Sequence, residues 1–268
     1  MRGLPDRRVR RAVSSSGPPP ASTVSRVRYL VASDLHYSLP QLDWIHERAG
    51  DFDAVVLAGD LLDTQALVDI GAQIALVSPY LQHLADETRV VVCSGNHDLT
   101  ARRTDGEKSA AWLQSVDPRV VTDGAALRIG DDLISACAWW EGPATRAELE
   151  LQLERDAAVA RSGRWIWAYH SPPDRSPTSW SGHRNFGDDV LNGLIERHRP
   201  DVVLAGHVHE APFVPDGCWF DRIGQTVVLN AGRQPGPVPA HLVLDTGTAE
   251  VTWSSYEGEG TEALGALA

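Results

Sequence analysis

The sequence predicts an α/β fold, and two observations carry that expectation. Five apolar, strand-like runs are spaced along the chain with helix-like stretches between them, the order that builds a largely parallel sheet. Each run also stops at an Asp, Asn or His: Tyr29–Ser33 at Asp34, Ala54–Gly59 at Asp60, Val90–Gly95 at Asn96, Trp165–Tyr169 at His170 and Val202–Gly206 at His207. Ligands of open α/β sheets bind outside the carboxyl ends of the strands. Five such ends would therefore bring their polar residues to one rim as a single cluster.

Residues 1–25 read as a disordered tail, because the run Ser14-Ser15-Ser16-Gly17-Pro18-Pro19-Pro20 has nothing apolar to bury. A twin arginine, Arg7-Arg8, invites a targeting reading, but no apolar segment follows it. Between the strands, Gln41–Ala49 reads as a short helix and Gln65–Asp86 as a longer one, with Pro79 a candidate break. Lys108–Ser115 is expected to be helical, and Leu127–Trp139 to be two strands across the Gly130-Asp131-Asp132 turn. Thr145–Arg161 and Asp188–Arg199 follow as helices. Thr226–Asn230, His241–Asp245 and Glu250–Trp253 follow as strands. No repeat or linker interrupts residues 26–256, so one domain is expected there, with 257–268 a loose C-terminal end.

Charge and composition narrow the classes. The net charge is -12, but residues 1–28 hold seven arginines against one acid, which leaves -18 on residues 29–268. So acidic a body is a poor non-specific partner for duplex nucleic acid, where Lys and Arg contacts to phosphate dominate; a small nucleotide in a locally positive pocket remains compatible. Three scattered cysteines without a CxxC motif argue against a disulfide framework and a thiolate zinc site, and suit a reducing cytoplasm. No apolar run reaches the ~18 residues that span a bilayer, so the chain is expected to be soluble and to have no membrane partner.

The residue types at the strand ends suit metal chemistry. In Asp34-Leu-His36 and His207-Val-His209, alternate residues of an extended backbone share one face and could reach one ion. Gly59, Gly95 and Gly206 directly precede Asp60, Asn96 and His207, and glycine permits the sharp exit and close backbone approach of a crowded site. Imidazole, carboxylate and amide oxygen suit manganese, iron or zinc. Together they read as a two-metal hydrolase.

Taken in order, Asp34-x-His36, Gly59-Asp60-x-x-Asp63, Gly95-Asn96-His97-Asp98, His170 and Gly206-His207-x-His209 resemble the five blocks of the calcineurin-like metallophosphoesterase family. Single blocks are unspecific; five in order over residues 34–209 are not. The resemblance implies a four-layer α/β/β/α sandwich with the metal site at the carboxyl ends of the strands. It implies two divalent metals, manganese preferred, one held by Asp34, His36, Asp60 and His209 and the other by Asp60, Asn96, His170 and His207, with Asp60 shared. Two cations about 3.5–4 Å apart can clamp both oxygens of an in-line displacement, and a bridging hydroxide would be the nucleophile. His97 would sit at the phosphate and protonate the leaving oxygen, Asp98 would orient the His97 ring, and Asp63 would stand behind the metals. A purple-acid-phosphatase-like site would have tyrosine where this chain has Asp63, and the His170-Ser-Pro-Pro173 block lacks the paired histidines of some phosphodiesterases.

Each residue also has a plainer explanation. Asp34 or Asp60 alone would serve as a helix cap or turn residue, and a lone strand-end histidine as a hydrogen-bonded one. Trp165 and Trp167 share a strand face and read as core, whereas Trp139, Trp140 and Trp180 fall near the rim, where packing competes with stacking on a nucleobase. His183, Arg184 and Asn185, and with them Arg175, lie in the stretch after His170 and are candidate substrate contacts. The loop from Arg233 through Pro235, Pro237 and Pro239 is stiff, and either borders the site or is a surface turn. The expected function is hydrolysis of a small phosphoester, nucleotides among the candidates, with a diester slightly ahead of a monoester because no second cation is evident. A metal-binding scaffold of the same fold and a nuclease are the rivals, and the oligomeric state is not encoded legibly.

Overall fold

The computed structural model describes residues 26–159 and 162–265, so the expected tail at 1–25 lies outside the described residues. The chain enters on β1 (Arg28–Ala32), returns through helix α1 (Leu39–Ala49) to β2 (Ala54–Ala58), and through α2 (Ile70–Glu87) to β3 (Arg89–Cys93). A small pair, β4 (Ala101–Arg102) and β5 (Lys108–Ser109), precedes β6 (Val120–Val121). The chain then builds a second sheet from β7 (Ala126–Ile129), β8 (Asp132–Ala136), helix α3 (Pro143–Ala157), β9 (Trp165–Ala168), helix α4 (Asp189–His198), β10 (Val202–Ala205), β11 (Phe220–Ile223) and β12 (Thr226–Asn230). It closes on the first sheet with β13 (His241–Asp245), β14 (Glu250–Ser255) and β15 (Gly258–Ala263).

The first sheet has the order β15-β14-β13-β1-β2-β3-β6 and the second β11-β12-β10-β9-β8-β7. β1, β2, β3 and β6 run parallel, as do β8, β9, β10 and β12, so the metal-type residues that follow β1, β2, β3, β9 and β10 all emerge at carboxyl ends. Side-chain alternation sets the layers. Tyr29 and Val31 of β1 pack into the core between the sheets, while Leu30 and Ala32 pack on Leu42 and Ile45 of α1 and Val77 and Leu81 of α2. On the second sheet, Trp165 and Trp167 face Leu149, Leu153, Leu191 and Leu194 of α3 and α4, while Ile166 and Ala168 face inward. The result is the expected four-layer α/β/β/α sandwich.

Several elements depart from the sequence reading. Helix α2 begins at Ile70 rather than Gln65. The Asp63 carboxylate accepts the Gln65 N–H at 2.8 Å in a turn, and buried Gln73 clamps the loop by bonding the Asp63 main chain and the Val68 carbonyl. Pro79 does not break α2: it lies on an exposed face, and Ala75, whose carbonyl loses its donor, is exposed to water. Lys108–Ser109 is a strand, with only Ala111–Ser115 turning as a short 3-10 helix. The expected loose end at 257–268 is corrected: Gly258–Ala263 pairs antiparallel with β14, and Leu264 is buried in the inter-sheet core.

Candidate metal centre

The backbone at the strand exits is not extended. Asp34, His36, Asp60 and His207 all have positive φ, at 55°, 43°, 54° and 66°. Left-handed backbone costs a residue with a side chain about 1–2 kcal/mol, and such strain persists only where surroundings fix it. Here they do. Asp34 N–H donates to the Gly59 carbonyl at 3.0 Å, His36 N–H to the Asp60 carbonyl at 2.9 Å, and Gly206 N–H to the His170 carbonyl at 2.8 Å. The Asp34 carboxylate accepts the His207 N–H at 3.0 Å. Asp34 and His36 therefore converge through a tight turn, not through the i, i+2 alternation of a strand.

Two residue sets gather there and share Asp60: Asp34, His36, Asp60 and His209, and Asp60, His170 and His207. In the first, His36 Nε2 lies 3.0 Å from His209 Nε2, and His209 Nε2 lies 3.2 Å from Asp34 Oδ1. In the second, His170 Nε2 lies 3.2 Å from Asp60 Oδ2, and Asn96 Oδ1 approaches His207 Nδ1 at 2.9 Å. A Cβ on Gly95 would come within 2.2 Å of Asp60 Oδ1 and 2.6 Å of Asp60 N, and one on Gly206 within 2.3 Å of Asp34 Oδ2. Glycine at these two positions is what lets the carboxylates be approached so closely.

The donor set fits divalent cations. His170 donates from Nδ1 to the Ala58 carbonyl at 2.6 Å, which leaves its buried Nε2 turned toward the Asp60 and Asp34 carboxylates. A histidine held at Nδ1 by a carbonyl is oriented to offer Nε2 to a metal. Burial depresses the pKa values of His36 and His207 to about 4, against the pull of Asp34 and Asp60, so both rings are neutral near pH 7. Burial works against charge at His170 too, but Asp60 and Asp34 outweigh it and raise that ring to about 10. Burial likewise opposes charge on Asp34 and Asp60, and the nearby His170 cation keeps both carboxyls below their ordinary range.

His97 stands beside this cluster, its ring 4.6 Å from that of His36. The expected Asp98 contact to the His97 ring is corrected. Asp98 is buried and accepts main-chain N–H groups of Leu61 and Leu62 at 3.1 Å and of Gly95 at 2.9 Å. It thus ties the ends of β2 and β3 together. The ring nitrogen Nδ1 of His97 instead meets Thr64, at 3.2 Å from its N–H and 3.0 Å from its hydroxyl, with Asp63 at 3.8 Å. Sequence reasoning did not single out Thr64; its signal is its place directly after the Gly59-Asp60-x-x-Asp63 block.

Two clefts flank the cluster. One, of about 620 Å³, opens beside His207 and is lined by Trp139, Arg184 and Asn185 among others. His183 is exposed and is not part of that lining, and Arg175 turns to Asp174 at 3.5 Å. The other, of about 500 Å³, is lined by His209 and by Arg233 and Gln234 of the proline loop, which therefore borders the site. Arg233 N–H is bonded to the His209 carbonyl at 3.1 Å, and its charge adds to the forces lowering the His36 pKa. Among the described residues no helix is long and apolar enough to cross a membrane.

The model of the calcineurin-like phosphoesterase family matches residues 27–211. Solved structures share the fold at low identity. The protein TT1561 of Thermus thermophilus aligns with a TM-score of 0.54 and 15% identity, covering 90% of this chain and 100% of that one. The purple acid phosphatase PPD1 of yellow lupin (Lupinus luteus) aligns with a TM-score of 0.58 and 15% identity, covering 89% of this chain and 54% of that one. No curated protein matches the sequence significantly.

Proposed function

This chain belongs to the calcineurin-like phosphoesterase family, and from that premise we propose that it hydrolyses a small phosphoester with two divalent cations, a diester slightly ahead of a monoester. The observation that carries the reading is the pair of ligand sets sharing Asp60. Asp34, His36, Asp60 and His209 would hold one cation, and Asp60, Asn96, His170 and His207 the other. Manganese, iron and zinc all suit donors of imidazole, carboxylate and amide with no thiolate among them, and manganese is the favoured ion of the three. When bound, the cations supply Lewis acidity and a nucleophile at neutral pH.

The remaining work falls to the chain. Asp60 also accepts the His97 N–H through Oδ1 at 2.8 Å, so the shared ligand and the His97 segment are positioned together. A main-chain N–H can only donate, so the Thr64 contact makes Nδ1 of His97 an acceptor. Nε2 is then the ring nitrogen that carries a proton, and it would donate a hydrogen bond to the leaving oxygen as charge develops there. The monoester reading has one observation in its favour: Arg233 lines the cleft beside His209 and would be a second cation for a dianionic ester.

Hydrolysis of bis(p-nitrophenyl) phosphate and p-nitrophenyl phosphate by manganese-loaded protein tests this, with His97→Ala as control. The expected result is turnover of the diester at least equal to that of the monoester, reduced about 10²–10⁴-fold in the variant. Turnover of neither ester, with two metals bound, would leave a scaffold of the same fold.

A further inference from the structure

The cleft beside His207 is built from rings that are held in place. Trp139 is the wall it shares with the metal centre: the indole lies 5.1 Å from the His207 ring and 5.7 Å from the His170 ring. The Trp139 main-chain N–H donates to Ser94 Oγ at 3.0 Å, which fixes the backbone that carries the indole. Trp140 Nε1 donates to Asp188 Oδ2 at 2.9 Å, and the Tyr169 hydroxyl donates to the same oxygen. Asp188 Oδ1 accepts the N–H groups of Val190 and Leu191, so this floor is fastened to the start of α4.

A tight turn forms another part of the lining. Trp180 and Asn185 pair across it, Ser181 N–H donates to the Arg184 carbonyl at 3.1 Å, and Phe186 N–H donates to the Ser179 carbonyl at 2.9 Å. The turn presents the Arg184 guanidinium 4.0 Å from the centre of the Phe186 ring, and Phe186 stays 41% exposed. A large ring left open to water and capped by a planar cation, in a cleft also lined by Trp139 and Trp140, makes a stacking platform.

We propose that this cleft takes the organic substituent of the ester and that the substituent is a planar, uncharged aromatic group of nucleobase size, an inference that rests on the phosphoester reading above. The volume lies within the range of small-molecule sites. The charges select against an anionic substituent: Glu141, Asp188 and Asp189 line the cleft with Arg184. Polar edges of a heterocycle have a partner to meet, because the Asn185 side-chain amide, 3.0 Å from the Ser179 hydroxyl, lies on the lining and carries both donor and acceptor groups.

The test is titration calorimetry of manganese-loaded protein with phosphonates, whose carbon–phosphorus bond is not an ester. Ethylphosphonate, 1-naphthylphosphonate and an adenine-bearing alkylphosphonate are compared. The aromatic ligands are expected to bind at least tenfold more tightly than ethylphosphonate. In an Arg184→Ala/Phe186→Ala double variant of unchanged metal content, that ratio should fall below about threefold. The stronger of the two aromatic ligands identifies the source, a nucleotide ester or another aromatic ester. Equal affinity for all three in the wild type overturns the aromatic subsite while leaving the phosphoester reading intact. An aromatic advantage that survives the double variant overturns its placement in this cleft. Two bound metals with no binding of any phosphonate overturns the phosphoester reading itself, and the subsite with it.

Discussion

At His170, burial and two carboxylates pull in opposite directions, and the carboxylates prevail, raising the ring to about 10. A cation entering between Asp60 and His170 must therefore displace a proton from Nε2. Because the folded pKa is raised, the ring is protonated throughout the neutral range in the cation-free protein, and each lower pH unit makes displacement harder. Apparent manganese affinity should rise about tenfold per pH unit between pH 6 and 8 if one proton is released. Competition with a chelating indicator measures it, and a flat profile would remove His170 from the ligand set. The positions gathered here were legible because each follows an apolar run at a strand end. The left-handed backbone at Asp34, His36, Asp60 and His207 was not, since residue type does not encode φ except at glycine. Nor was the direction of Asp98, which shares one 3-10 turn with Asn96 and His97, so neighbours in sequence point to different partners.

Among the elements, α4 couples stability to the cleft through one residue. Asp188 caps the helix through Oδ1 and receives Trp140 and buried Tyr169 through Oδ2. An N-cap is worth about 1 kcal/mol, and each buried donor left without an acceptor costs about 1–3 kcal/mol. Asp188→Ala should thus destabilise by about 3 kcal/mol and lower Tm by about 6–12 °C, while Asp188→Asn recovers the capping part. Thermal unfolding followed by circular dichroism decides it; a shift below about 2 °C for the alanine variant would mean the network is not structural. Elements of continuous apolar sequence, such as β10 and β12, were readable because strands buried on both faces leave no other option. Strand β6, two residues long, and β11, whose Phe220–Ile223 sets two charged residues between two apolar ones, carry too little pattern to be recognised alone. They form because longer neighbours, β3 and β12, offer paired edges.

Over the whole molecule, the C-terminus shows how a segment with no hydrophobic signature becomes part of the fold. Gly258–Ala263 is glycine, threonine and glutamate up to its final alanine, yet it pairs with β14 along its full length. Gly260 passes against the Trp219 indole, which stacks on Trp253 at 6.1 Å. Leu264, 2% exposed, then enters the core between the sheets, and Arg164 donates to the Gly265 carbonyl at 2.8 Å. Removing residues 258–268 deletes a buried leucine, a residue whose truncation to alanine costs about 2–5 kcal/mol in protein cores, together with one edge of the first sheet. The metal-ligand candidates lie within residues 34–209, and none of the pairings of β15 involves them. The truncated protein should therefore lose about 3 kcal/mol or more in urea unfolding yet still bind two manganese ions below its transition. A truncated chain as stable as the full one would make β15 a dispensable edge, while loss of metal binding in the still-folded protein would mean that the inter-sheet core carries strain from this edge to the rim.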